Sequence, residues 1–323
     1  MIQGLKGRSI LITGGTGSFG SKFIKMLLEE TDCDYVRSYS RDEHKNQQLR
    51  ERFGIGRFDT RLGDIRDKDR LRRALEGIDW VVHAAALKQA PLGEIEPLEF
   101  VKTNIYGTQN LIESVLDLGT VSKVLLISTD KAVQPINLYG ATKMVAERIV
   151  IQANELKGSK KIGFSCTRYG NVAGSRSTIV PLFLALREND PVPVTNLKAT
   201  RFWIELRKAN EFVLNCLSGM GGGEIFIPKI PSVRVIDVAN ALCPRRKMKI
   251  IGDREGDKLH ETLIASHEKY LETDTGFTIA KWGKHTGLDY TSDKNDFLSL
   301  EEIRDSVKES LSGDRENPFL VKL

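Results

Sequence analysis

The residues best suited to do chemistry stand between Ser128 and Lys143, where Thr129-Asp130-Lys131 is followed by Tyr139 and Lys143. Tyr139 and Lys143 are one helical turn apart, so on a helix they share a face. A lysine ammonium beside a phenol favours the phenolate and draws the tyrosine pKa down from about 10. Tyr139 is therefore a candidate base for an alcohol proton. A bare Tyr-x-x-x-Lys spacing is common on solvated helix faces. The acid–base pair Asp130-Lys131 just before it separates this stretch from that background.

Positioning these groups requires a strand and a helix. The apolar run Val124–Ile127 reads as a buried parallel strand. Asp130 and Lys131 then lie at its carboxyl end, where open α/β sheets place ligands. Asn137 or a neighbour is expected to cap a helix over about Leu138 to Leu156, with Met144, Val145, Ile149 and Ile151 as its apolar face.

A second site precedes this one. Arg8–Thr13 reads as a strand, Gly14-Gly-Thr16-Gly17-Ser18-Phe19-Gly20 as a turn, and Ser18–Glu30 as a helix with Phe19, Phe23, Met26 and Leu27 on one face. This is the context a dinucleotide-binding glycine turn needs. Gly14 allows the tight turn, Gly17 a close approach of backbone to pyrophosphate, and Gly20 close helix–strand packing. The helix N-terminus offers N–H groups to phosphate, and Thr16, Ser18 and Phe19 line the same turn. The next strand, about Tyr35 to Tyr39, ends in Ser40-Arg41-Asp42, with Lys45 one turn on. A hydroxyl, a guanidinium and an ammonium there favour a 2′-phosphate, so the expected cofactor is NADP. Asp42 reaching the ribose would favour NAD instead. Strands are also expected at Arg57–Leu62 and Asp79–Val82, the latter running into His83-Ala84-Ala85-Ala86, small residues along which a cofactor could lie. His83 reads as a packed core histidine. Lys88 stands at the crevice, toward a sugar phosphate or toward solvent.

The chain of 323 residues, 40% apolar and 28% charged, suits one large α/β unit or two lobes sharing a core. A net charge of +5 is mild and spread along the chain, which suits a phosphate-bearing ligand but not nucleic acid. Cys33, Cys166, Cys216 and Cys243 are far apart and show no metal spacing, so reduced thiols and no metal are expected. No run approaches the roughly 20 apolar residues of a membrane helix. A cytoplasmic protein is the expectation.

Ser128-Thr-Asp-Lys-Ala with Pro135-Ile-Asn-Leu-Tyr-Gly-Ala-Thr-Lys143 resembles the extended short-chain dehydrogenase/reductase superfamily and, within it, the inverting UDP-N-acetylglucosamine 4,6-dehydratases. The resemblance runs from about Gly7 to about Leu263. It implies an α/β fold: a Rossmann-like doubly wound parallel sheet over residues 1–171 and a smaller substrate-binding lobe over 172–323. It implies that Asp64 and Ile65 contact the adenine, that Asn104 is structural, and that Asn171 holds the diphosphate of a UDP-sugar. Arg176, Arg201 and Arg254 would join it, the guanidinium fork suiting a pyrophosphate. In the implied reaction Tyr139 takes the O4 proton of UDP-N-acetylglucosamine as C4 is oxidised. Lys131 then removes the C5 proton, and Asp130 protonates the departing 6-hydroxyl. Retaining relatives carry glutamate at the position of Lys131, so the lysine marks the inverting branch. As a base Lys131 needs a depressed pKa. The chain departs from most relatives at Ser177, where they have glycine, and at Glu255 and Asp257 in a segment they write Arg-Pro-Gly-Glu. A homo-oligomer, dimer or hexamer, is implied. The alternative enzyme on this scaffold is a UDP-sugar 4-epimerase, and a different class is a redox-sensing regulator without catalysis.

Overall fold

Short runs of apolar residues flanked by glycine or polar turns form the strands at the centre of the molecule, whose computed structural model describes residues 4–175, 178–187 and 189–312. Six of them are β1 (Ser9–Thr13), β2 (Tyr35–Ser40), β3 (Phe58–Leu62), β4 (Trp80–His83), β5 (Lys123–Thr129) and β6 (Gly163–Tyr169). They lie in the order β3-β2-β1-β4-β5-β6, all parallel. Ile10, Leu11 and Ile12 of β1 are wholly buried, as a parallel strand covered by helices on both faces requires. One core packs Phe23, Ile24 and Leu27 against Ile10 and Ile12. The other packs Leu71, Leu111, Val115 and Val150 against Leu11, Val81 and Val124. The expected doubly wound α/β fold is present, with the order reversing between β1 and β4.

Beyond β6 the chain builds a smaller unit and also returns to the sheet. Asn171–Val172, Thr200–Ile204 and Ser232–Arg234 form a three-stranded sheet. Trp203 of that sheet is buried against Ile303 and Val307 of the helix Leu300–Leu311, and its indole donates to Ser306 Oγ at 2.9 Å. Strand Ile225–Pro228 pairs parallel with β6, and the hairpin Tyr270–Thr273 with Gly276–Ile279 extends the main sheet to nine strands. The sequence reading contained no such hairpin.

The helical stretch after β4 is interrupted. Residues 96–118 do not run as a single α-helix: Val101–Tyr106 is a π-helical turn between Pro97–Phe100 and Gly107–Leu118. The widened turn directs Asn104 at Leu87, accepting from its N–H at 2.8 Å and donating to its carbonyl at 2.9 Å. That fixes the backbone leaving β4 beside the site. No helix among the described residues is long and apolar enough to cross a membrane.

Candidate active site

At the cofactor turn, Gly14 has φ 70, and a Cβ there would lie 2.9 Å from Ala85 N. Ala84 and Ala85 donate their N–H groups to Thr13 O and Thr13 Oγ1 at 3.2 and 3.1 Å. Residues 84–86 are half-buried beside the turn, an approach that only glycine at position 14 permits. A Cβ at Gly20 would meet Gly14 O at 2.6 Å, so helix Ser18–Glu30 packs against the turn itself. Gly17 precedes that helix and no side chain caps it; Thr16, Ser18 and Phe19 are half-buried around it. An uncapped N-terminus on a glycine turn at a strand end fits a dinucleotide pyrophosphate.

The ribose end differs in detail from expectation. Ser40 is buried, and its hydroxyl donates inward to Asn46 Oδ1 at 3.1 Å, which makes it scaffold in this arrangement. Asp42 caps the next helix, accepting from Lys45 N at 2.9 Å, and pairs with Lys45 Nζ at 2.7 Å. Arg41 is exposed, with Nη1 3.7 Å from Asp64 Oδ2. Asp64 also receives the Arg66 guanidinium at 2.7–3.0 Å, which holds its carboxyl below the usual range despite burial. Ile65 is buried against Gly107, where a Cβ would come within 2.6 Å of its Cγ2. His83 is a core residue, with Nδ1 2.7 Å from Thr13 Oγ1 and Nε2 3.1 Å from Thr108 Oγ1. Burial brings its pKa down to about 3, with Lys143 adding to the effect.

The acid–base turn follows β5 directly. Asp130 is wholly buried. Thr129 Oγ1 donates to its Oδ1 at 2.9 Å, and Lys131 Nζ approaches the same oxygen at 3.2 Å. Oδ2 is buried with no hydrogen-bond partner among the described residues. Keeping a carboxylate charged in such a buried place is costly, so burial favours the protonated form, in which Asp130 is an acid. Its pKa is raised, chiefly by burial, with Glu261 adding and Lys131 opposing.

Asn137 accepts from Gly140 N at 2.7 Å and so starts the helix Leu138–Leu156, with Tyr139 and Lys143 on adjacent turns. Between the acid–base turn and this helix, Gln134 takes a left-handed backbone, φ 46, just before Pro135. Such a non-glycine conformation costs about 1–3 kcal/mol and clusters at functional sites. Gly140 lets the helix start against the Lys131 carbonyl, which a Cβ would strike.

Two electrostatic expectations are corrected. Lys131 is not depressed. Burial acts in that direction, but Asp130 and Glu261 outweigh it and hold the ammonium charged; its Nζ is 2.9 Å from Glu261 Oε1. Nor does Lys143 bring the Tyr139 pKa down. Burial pushes Tyr139 up to about 12, opposed by Lys131 and by a hydrogen bond with the Thr129 side chain. Lys143 instead donates to Ile127 O at 2.7 Å, and burial lowers its own pKa to about 8.

Of the expected substrate ligands, Asn171 is half-buried where its short strand pairs with Trp203. Arg201 is buried, its Nε 4.0 Å from Glu261 Oε1 and its Nη1 2.7 Å from Thr200 O. That brings it to the acid–base turn. Lys88 is exposed and reaches Ser175 Oγ at 2.9 Å, and Arg254 is exposed. Arg176 and Ser177 lie outside the described residues, as does the tail from Asn317. Glu261 has no role in the sequence reading. Its one local signal is a carboxylate set directly before the apolar run Thr262–Ile264. Among the described residues no cluster of side chains is arranged to hold a metal.

Comparisons with known proteins agree with this geometry. Residues 10–281 match the family model described as polysaccharide biosynthesis protein. A UDP-N-acetylglucosamine 4,6-dehydratase (inverting) of Campylobacter jejuni is 42% identical, covering 93% of this chain and 97% of the relative. A UDP-glucose 4-epimerase of Rickettsia bellii is 34% identical over 92% of this chain and 94% of its own. Among solved structures, Pen from Bacillus thuringiensis superposes with a TM-score of 0.87 at 35% identity, covering 93% of this chain and 97% of that one. The chain belongs to the polysaccharide biosynthesis protein family, within the extended short-chain dehydrogenase/reductase superfamily.

Proposed function

We propose that this protein is a UDP-N-acetylglucosamine 4,6-dehydratase of the 5-inverting type that uses NADP. The observation that carries the reading is the wholly buried Asp130, one carboxyl oxygen unbonded and the other on Lys131, beside Tyr139 at the end of β5. An epimerase needs a base and a cofactor; it does not need a protonated carboxyl there. The 42% identity to the Campylobacter dehydratase, against 34% to the epimerase, supports the same choice.

A nicotinamide dinucleotide, when bound, supplies the hydride acceptor for C4 and the donor for C6. Tyr139 takes the O4 proton as the phenolate, a form that Lys131 and the Thr129 hydroxyl favour and burial opposes. The 4-ketone acidifies C5–H. Lys131 removes that proton and Asp130 gives one to the departing 6-hydroxyl, so that elimination ends on a lysinium–carboxylate pair. The groups are 3.2 Å apart; Asp130 already bears its proton, so the step draws on the fraction of Lys131 that has released its own to solvent. Thr129 orients the acid.

Residues 1–171 would form the NADP domain, with Arg41 and Lys45 toward the 2′-phosphate. Residues 172–323 would supply the UDP-sugar lobe, with Asn171, Arg176, Arg201, Arg254 and Lys88 around the diphosphate. A cytoplasmic homo-oligomer, dimer or hexamer, completes the reading. The test is to incubate the enzyme with UDP-N-acetylglucosamine in heavy water and analyse the product by mass spectrometry and NMR. Loss of one water with deuterium incorporated at C5 is expected. An isobaric product would mean an epimerase, and unconsumed substrate a regulator.

A further inference from the structure

Glu261 is a buried ionisable group at the acid–base turn that the proposed reaction leaves without a role. It sits in the segment before Thr262–Ile264 and is only 2% exposed. Its backbone is clamped on both sides: its N–H donates to Ser292 Oγ at 2.9 Å, and Ser292 N donates to its carbonyl at 2.9 Å. Its carboxylate is therefore delivered from the C-terminal part of the chain to a turn on β5.

The cations are shared unequally. Three converge on Glu261: Lys131 Nζ at 2.9 Å, Lys258 Nζ at 3.9 Å and Arg201 Nε at 4.0 Å. Among the described residues only Lys131 pairs with Asp130, at the longer distance of 3.2 Å. Tyr139, from the helix Leu138–Leu156, completes the titratable groups facing this cluster among the described residues. His260 turns away to Thr200 Oγ1, 2.8 Å. With three cations on Glu261 and one of them shared with Asp130, Asp130 is the less compensated carboxyl in a dry site, and the less compensated carboxyl takes the proton.

We infer that Glu261 is the standing counter-ion of Lys131 and, by filling that place, keeps Asp130 neutral and proton-bearing as the acid for elimination. The hydrogen bonds leave room for it: both donors to Asp130 use Oδ1, while Oδ2, like Oε2 of Glu261, has no hydrogen-bond partner among the described residues, so it is the ion pairs that separate the two carboxyls. The titration directions agree as well. Burial raises both carboxyls, but at Glu261 the cations Lys131, Arg201 and Lys258 reverse the shift, whereas at Asp130 it stays raised. Glu261 is thus a positioning residue that acts through Lys131 and Asp130. The acid is assembled only when the segment around residue 261 docks. The elimination part of this role rests on the dehydratase reading; the protonation part does not.

The test uses the full chain with its cofactor and compares wild type, Asp130→Asn, Glu261→Gln and Glu261→Asp. Infrared difference spectra between wild type and Asp130→Asn isolate the carbonyl stretch of a protonated Asp130. That band is expected at neutral pH in wild type, lost in Glu261→Gln because Asp130 then ionises against Lys131, and regained in part in Glu261→Asp. In single turnovers with UDP-N-acetylglucosamine, Glu261→Gln should still oxidise C4 but eliminate water at least about 10²-fold more slowly. Its falling pH limb should move to lower pH. A band absent from wild type, or unchanged in Glu261→Gln, overturns the inference. So does equal loss of oxidation and elimination with an unshifted pH profile, which would mark Glu261 as structural. If wild type leaves the substrate unconsumed, the dehydratase reading falls, and the infrared result alone decides the counter-ion role.

Discussion

Replacing Lys131 by alanine removes the one cation shared by two buried carboxyls, and the consequences differ for stability and for chemistry. The 2.9 Å contact with Glu261 corresponds to a gross attraction of about 6 kcal/mol at an effective dielectric near 20, and the 3.2 Å contact with Asp130 adds a hydrogen bond. Desolvation of the ammonium offsets most of that. Breaking a buried pair by removing one partner typically costs about 3–5 kcal/mol, against a total stability of about 5–15 kcal/mol. The cost should depend on pH in a definite direction. Without Lys131 the folded-state pKa of Asp130 rises further above its unfolded value, and that of Glu261 moves up as it loses the nearest of its three cations. The Asp130 contribution is then fully present below the unfolded pKa and is lost as pH rises through the folded one. Each pH unit across that window is worth up to about 1.4 kcal/mol. Urea unfolding of wild type and Lys131→Ala at about pH 6 and about pH 8 should give a deficit of about 3 kcal/mol or more at the higher pH and a clearly smaller one at the lower. In a single turnover the variant should still oxidise C4, seen as reduced-nicotinamide absorbance, while C5 exchange and water loss fall by about 10²–10⁴. A deficit under about 1 kcal/mol at both pH values would refute the buried trio. Near-normal turnover to a 6-deoxy-4-keto sugar would remove Lys131 from the mechanism.

Arg41→Ala should weaken NADP more than NAD, by about 1.5–3 kcal/mol for the lost charge-assisted pair; equal weakening, measured by titration calorimetry, would mean that Arg41 only pairs with Asp64. His83, held neutral with its pKa near 3, binds fewer protons folded than unfolded, so its contribution is full above the unfolded pKa and fades as pH falls toward 3. Between about pH 6 and pH 4 wild type should therefore lose up to about 1.4 kcal/mol per pH unit more than His83→Gln, and parallel acid unfolding curves would contradict this. Gly140→Ala drives a methyl into the Lys131 carbonyl and within 3.1 Å of Pro135 Cβ. It should cost about 1–3 kcal/mol and depress kcat by moving Tyr139, whereas an unchanged kcat would mean that the helix start tolerates a shift.

What local pattern controls was legible from the residues alone. Apolar runs at β1, β4 and β5 become buried strands because no other short segment hides both faces. The glycine turn follows from the φ 70 of Gly14 and the uncapped helix after Gly17. Asn137 starts the Tyr139–Lys143 helix because an Asx side chain satisfies a free N–H there. The same reading failed where the answer depends on what approaches from far along the chain. Lys131 reads as a base needing a lowered pKa, yet its charge is decided by Glu261, which arrives with the segment clamped on Ser292. Ser40 reads as a ribose ligand, yet packing turns its hydroxyl to Asn46. The hairpin Tyr270–Ile279 joins the sheet because Ile225–Pro228 leaves an open edge beside it, a fact that no local window contains. Secondary structure answers to neighbours in sequence. Charge state answers to distance and burial, and those exist only once the chain has folded.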